Sequence, residues 1–163
     1  MHIDYPGLAL RPVTDNDREL LIRIYRSTRE EELRPTGWSD EQKTQFIAMQ
    51  FQAQHQAYSA YANAEFLIVE HDGTPVGRIY LQHKQTVLHI IDLSLLPAAR
   101  NLGMGTALLQ ACFASGASSG KAVHIHVEKF NPALQLYLRL GFQICEDKGI
   151  YLSLERETAT AQA

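Results

Sequence analysis

The spacing of apolar residues along the chain changes several times, and each change marks an element. Leu8 to Val13 alternates as a short strand. From Leu20 the period lengthens: Leu20, Leu21, Ile24 and Tyr25 follow Thr14 and Asp17, whose three-residue separation is that of a capping box. This helix is expected to reach about Leu33, where Arg34-Pro35-Thr36-Gly37 breaks it. Ser39 with Gln42 predicts a second helix start, continued by Phe46, Ile47, Phe51, Tyr58 and Tyr61. The period then falls to two. Glu65 to Glu70, the turn His71-Asp72-Gly73-Thr74 and Pro75 to His83 predict a hairpin, with Gly77 suited to a bulge or a close approach.

Val87 to Leu96 is denser. Ile90, Ile91, Leu93, Leu95 and Leu96 predict a central strand covered on both faces. A helix is expected from Thr106 to about Ala114, then a strand from Ala122 to Val127. Asn131-Pro132 opens a further helix, packed by Leu134, Leu136, Tyr137, Leu138 and Leu140 and closed by Gly141. Phe142 to Glu146 and Ile150 to Glu155 complete the chain as a hairpin, with a frayed tail over Glu157 to Ala163. Meander and crossover connections together predict an α/β fold, a central mixed sheet flanked by about four helices. One domain over 1–163, with its core at about 8–156, accommodates all of it.

Composition narrows the function classes. The 15 Lys and Arg against 18 Asp and Glu give a net charge of −3, which argues against nucleic acid as a partner. The first residues lack a charged-then-apolar leader pattern, and no apolar run reaches membrane-spanning length, so a cytoplasmic protein without membrane contact is expected. Cys112 and Cys145 are expected to be buried free thiols, in keeping with a reducing compartment. The seven histidines show no Cys/His or carboxylate cluster at ligand spacing, so no metal is expected.

Two stretches carry candidate chemistry. At Arg100-Asn101-Leu102-Gly103-Met104-Gly105-Thr106 an apolar strand meets a helix start through glycines. Such a turn lets backbone N–H groups approach an oxyanion closely, although two glycines around one residue also occur in plain turns. In the preceding strand His89, Asp92 and Ser94 interrupt the apolar run. A charge in a central strand is costly unless paired or used, which singles out Asp92.

The first stretch resembles the Gln/Arg-x-x-Gly-x-Gly/Ala turn of the GCN5-related N-acetyltransferases. Asn131-Pro132-Ala133-Leu134-Gln135-Leu136-Tyr137-Leu138-Arg139-Leu140-Gly141-Phe142 resembles their later Asn…Ala…Tyr…Gly-Phe signature, with Asn131 six residues before Tyr137 where seven is common. The element order matches that fold from Leu8 to about Glu155. The resemblance implies acetyl-CoA as donor and a primary amine of a small molecule or peptide as acceptor. It places the CoA pyrophosphate on the backbone N–H groups of Leu102, Gly103, Gly105 and Thr106. Arg100 and Asn101 share that turn, Met104 packs beneath it, and Asn131 joins the cofactor set. It implies main-chain contacts from Leu93 and Leu95 along the pantetheine arm, with the Leu93 N–H facing the acetyl carbonyl. Tyr137 then serves as general acid, a phenol still protonated at neutral pH beside a departing thiolate.

The general base is open between Asp92, ranked first, and His89, with His126 a third candidate. In an unbroken strand His89 and Asp92 point to opposite faces, and a bulge is needed to re-aim one of them. Acceptor recognition is assigned to the first two helices: Glu31 within the run Glu30 to Glu32, then Trp38, Gln50, Gln54 and Tyr58. A homodimer is compatible with this reading. An acyl-CoA-binding sensor domain without turnover is the alternative, and a generic nucleotide-binding module stands behind it.

Overall fold

The computed structural model describes residues 1–158; of the expected frayed tail, 159–163 lie outside the described residues. Each expected strand forms: β1 (Leu8–Pro12), β2 (Ala64–His71), β3 (Thr74–His83), β4 (Val87–Leu95), β5 (Ala122–Glu128), β6 (Gln143–Asp147) and β7 (Tyr151–Arg156). They join in one sheet of order β1-β2-β3-β4-β5-β7-β6. Only β4 and β5 run parallel; the other neighbours are antiparallel. The helices are α1 (Arg18–Leu33), α2 (Asp40–Ser59), α3 (Met104–Ser118) and α4 (Leu134–Arg139).

Local chemistry accounts for most boundaries. The Ser39 hydroxyl accepts from the Gln42 N–H, and the Gln42 side chain accepts from the Ser39 N–H, the reciprocal cap expected of that spacing. Ahead of α1, the Asp17 carboxylate accepts from the Thr14 N–H at 2.7 Å. Asp72 and Gly73, both at positive φ, make the two-residue turn between β2 and β3. Gly77 is required by close approach: a Cβ there would lie 2.3 Å from the Ser94 carbonyl oxygen.

The sheet has a helical layer on each face. α3 lays Leu108, Leu109 and Cys112 on Leu88, Ile90, Val123 and Ile125. On the opposite face, α1 and α2 pack Leu21, Tyr25, Ile47 and Phe51 against Ile68 and Tyr80. β4 is thus covered on both faces, as its apolar density predicts.

Two irregularities of β4 position the candidate site. Its register with β3 jumps from Tyr80↔Asp92 to Leu81↔Ile90, leaving Ile91 as an extra residue. This bulge turns His89 and Asp92, three residues apart, toward the same helical layer. On its other side, β4 pairs with β5 only over Val87–Ile90 against Ala122–Ile125. Beyond that point β5 keeps β7 as its partner while β4 keeps β3, so the two parallel strands part and the sheet opens between them.

Three expectations need correction. α3 starts two residues earlier and extends to Ser118, its last turn carrying buried Gly116 close against the Lys121 carbonyl. α4 is shorter: Asn131 and Pro132 form a turn before it, where the Asn131 side-chain oxygen accepts from the Ala133 N–H at 2.9 Å. Cys112 is buried, but Cys145 is exposed, since it lies on the edge strand β6, every residue of which is exposed. At the tail, the Thr158 hydroxyl is tied to the Lys121 carbonyl at 2.7 Å. No helix among the described residues is long and apolar enough to cross a membrane.

Candidate active site

The glycine turn lies where β4 hands over to α3. Asn101 (φ 61°) and Gly103 (φ 88°) both adopt the left-handed conformation, and the first helical bond runs from the Ala107 N–H to the Gly103 carbonyl. The N–H groups of Met104, Gly105 and Thr106 therefore have no acceptor within the helix. A Cβ at Gly105 would meet only Leu95, at 3.9 Å, which is ordinary contact. Nothing among the described residues requires glycine there, so the missing side chain leaves open room beside the turn. Tyr5 fixes the turn by donating to the Leu102 carbonyl at 2.8 Å. Met104 is 2% exposed and packs beneath the loop, whereas Leu102 is on the surface. The Arg100 guanidinium turns back to donate to the Leu95 carbonyl at 2.9 Å, so its charge stands at the end of β4.

Across the opening, α4 carries Tyr137. Its ring packs edge-on against Phe142, and burial together with the charge of Asp92 pushes the phenol up to about 12. The phenol thus remains protonated throughout the neutral range.

Asp92 itself belongs to a network that the sequence did not disclose. Arg78, 2% exposed, donates to its carboxylate through Nε and to Gln54 Oε1 through a second nitrogen at 2.8 Å. The guanidinium lies 4.8 Å from the centre of the Tyr80 ring and 5.9 Å from that of Tyr58. The Ser94 hydroxyl donates to Asp92 as well. Burial works against the charge on Arg78, but Asp92 and the surrounding rings outweigh it and raise its pKa. Burial, with Asp92 adding, also raises Tyr58. The signal that singled out Asp92, a charge in an apolar strand, applied equally to Arg78 between Gly77 and Ile79. The two needed only to be placed on adjacent strands.

His89 lies further along the same face. Its ring stacks on Tyr61 at 6.5 Å, and Tyr61 meets Tyr58 edge-on at 6.1 Å, so an aromatic wall links His89 to the Arg78 network. The parallel register sets His89 beside His124, their Nδ1 atoms 2.8 Å apart, and His126 completes a group whose candidate ligand nitrogens all lie within 4.8 Å of one another. Spacing along the chain keeps these histidines apart, and the fold brings the three together. His124 and His126 share a face by alternation alone, but His89, 35 residues before His124, joins them only through strand pairing. Burial pushes the His89 imidazole down to about 3, with His124 and His126 adding, and pushes His124 down to about 4.

The predicted acceptor residues separate. Gln54 and Tyr58 face Arg78 from α2. Gln50 and Glu31 are exposed, and Trp38 packs edge-on against Phe46 near the start of α2. Leu93 and Leu95 are half-buried on the α3 side of β4. The Asn131 carboxamide oxygen is committed to the turn before α4.

The sequence profile of the acetyltransferase (GNAT) family matches residues 22–142. An N-alpha-acetyltransferase of Sulfurisphaera tokodaii is 33% identical over 95 residues, 49% of this chain and 57% of that protein, so the chain spans little more than half the length of this curated relative. The PaiA N-acetyltransferase of Thermoplasma acidophilum, solved in complex with coenzyme A, superposes with a TM-score of 0.68 at 20% identity, over 92% of this chain and 98% of that one. An acetyltransferase from Thermus thermophilus gives 0.67 at 20% identity, over 96% and 99%. At such identities the structural likeness establishes the fold.

Proposed function

The chain belongs to the acetyltransferase (GNAT) family, and from that premise we propose that it transfers the acetyl group of acetyl-CoA to a primary amine of a small molecule or peptide by direct attack. The observation that carries the reading is the parting of β4 from β5 after Ile90 and Ile125, with the glycine turn at the end of one strand and Tyr137 on the helix after the other. The unpaired main chain of β4 offers N–H groups to an extended arm laid in the gap. The helix start at Gly103 to Thr106 offers N–H groups and room to a pyrophosphate.

In this reading each half has its own work. Leu93 donates its N–H to the carbonyl oxygen as negative charge develops there, and Leu95 continues the main-chain contact. Asp92, held by Arg78 and Ser94, receives the acceptor's ammonium and is the base first in line to take its proton. His89 stands behind it, because its Nδ1 is engaged with His124 at 2.8 Å. As the amine nitrogen bonds to the acetyl carbon and the carbon–sulfur bond breaks, Tyr137 donates its proton to the departing thiolate. Gln54 and Tyr58 border the acceptor side.

A free-thiol release assay with acetyl-CoA across a panel of amines, amino acids and short peptides tests the proposal. Turnover on at least one amine class is expected. Tyr137→Phe should lower kcat by about 100-fold while leaving the CoA Kd unchanged. Tight CoA binding without turnover on any amine would instead establish the sensor-domain reading, and full kcat in Tyr137→Phe would remove the acid.

A further inference from the structure

We infer that His89, His124 and His126 form a binding site for a divalent transition-metal ion of the zinc type, a property separate from acetyl transfer. The juxtaposition is produced by the fold. Parallel register sets His89 against His124, and alternation along β5 returns His126 to the same face. The three rings lie 4.7 to 5.2 Å apart, centre to centre. A tetrahedral zinc with nitrogen ligands needs about 3.4 Å between them, from Zn–N bonds of about 2.1 Å. The candidate nitrogens all lie within 4.8 Å of one another, a spacing that brackets this value, and the 2.8 Å contact between the Nδ1 atoms of His89 and His124 would open to admit the ion.

The surroundings suit a ligand set. Ser153, buried on β7, lies with its hydroxyl oxygen 3.0 Å from His126 Nδ1; accepting from Nδ1–H, it would leave the Nε2 lone pair to ligate. The Tyr61 ring covers His89, fixing its plane. Exposure increases from buried His89 through His124 to exposed His126, so an ion enters past His126. Neutral imidazole is the form that binds metal. Three imidazoles without a carboxylate select zinc, cobalt, nickel or copper over magnesium or calcium and leave one coordination position for water. The nearby charges oppose one another: Lys84 and Lys148 repel a cation at this point, and Glu146 attracts one.

Chelator-treated protein titrated with zinc chloride by calorimetry, and with cobalt(II) by visible absorption, tests the inference without reference to activity. One zinc per chain and the absorption bands of tetrahedral cobalt are expected. His126→Gln, a change at an exposed side chain that circular dichroism should find folded, should abolish both. Ser153→Ala should weaken zinc about tenfold. Lys84→Gln should tighten it several-fold by removing a repelling charge, and His71→Gln on β2 should change nothing. Absence of stoichiometric uptake by the wild-type chain, or equal uptake by wild type and His126→Gln, overturns the site.

Discussion

The glycine turn and the polar face of β3 and β4 are both polar constructions attached to the same strand, and they are encoded in opposite ways. The turn is contiguous: left-handed Asn101 and Gly103, a helix start and free N–H groups all fall between Arg100 and Thr106. The polar face draws Gln54 and Tyr58 from α2, Arg78 from β3, and His89, Asp92 and Ser94 from β4. Backbone geometry provides the first, whereas buried charge, balanced across strands, provides the second. The turn therefore depends on the conformation of a few consecutive residues, whereas the polar face depends on pairs drawn from separate elements.

The sharpest way to break this contrast is at Arg78. Arg78→Met removes the cation but leaves Asp92 facing a buried site, and losing one member of such a pair costs about 3–5 kcal/mol. Thermal unfolding should fall by roughly 10 °C. Arg78→Met with Asp92→Leu should recover most of the loss, because an apolar pair of similar volume no longer strands a charge. A single-variant cost below about 1 kcal/mol would mean that the pair behaves as a surface contact and that the polar face is not a buried construction.

That contrast also explains what could be read from the sequence. Among the described residues, the seven strands, the four helices and the caps at Thr14 and Ser39 follow from period and local chemistry, so they were legible. The glycine turn was legible for the same reason. Asp92 was visible as an anomaly, but its partner Arg78 was not connected to it, since the pairing depends on which residues of β3 and β4 lie side by side. The bulge at Ile91, which brings His89 and Asp92 to one face, required the register on both sides of it. The histidine group required a parallel pairing between segments 35 residues apart. Spacing along the chain carries none of this. Residue type alone does not orient a helix, and Glu31 and Gln50 are both exposed.

A second Arg–Asp pair gives the comparison its control. Arg11 donates to both Asp17 oxygens at 2.8 Å, and the partners are only six residues apart. The arginine's bonds, aided by the Thr14 N–H and opposed by burial, hold the Asp17 carboxyl down to about 2. Its ordinary unfolded value is about 3.9, so the folded pKa is the lower one. The pair therefore contributes fully above about pH 4 and loses its contribution as pH falls toward 2. Asp17→Asn should cost about 1 kcal/mol near neutral pH, the size of a lost helix cap, and the gap from wild type should narrow with acidification. Urea unfolding at pH 7, 4 and 3 checks this. A gap that is constant with pH would show that the cap, and not the carboxylate's charge, is what matters there.

The smallest effect divides the turn from the fold it is part of. Gly105 lies in the first turn of α3 with helical dihedrals, and a Cβ there meets only ordinary contact with Leu95. Gly105→Ala should therefore stabilise the free protein by about 0.5 kcal/mol, since alanine loses less backbone entropy in a helix. Gly103 is held at φ 88°, and Gly103→Ala should cost about 1 kcal/mol for the left-handed conformation. If the turn holds pyrophosphate, both variants weaken CoA, although their stabilities move in opposite directions. Chemical denaturation without ligand and calorimetry with CoA separate the two quantities. Glycine at 105 would then be a residue that the fold disfavours and the ligand requires. A stabilised Gly105→Ala variant with an unchanged CoA Kd would leave that glycine without a function and move the anion contact to Gly103 and the residues before it.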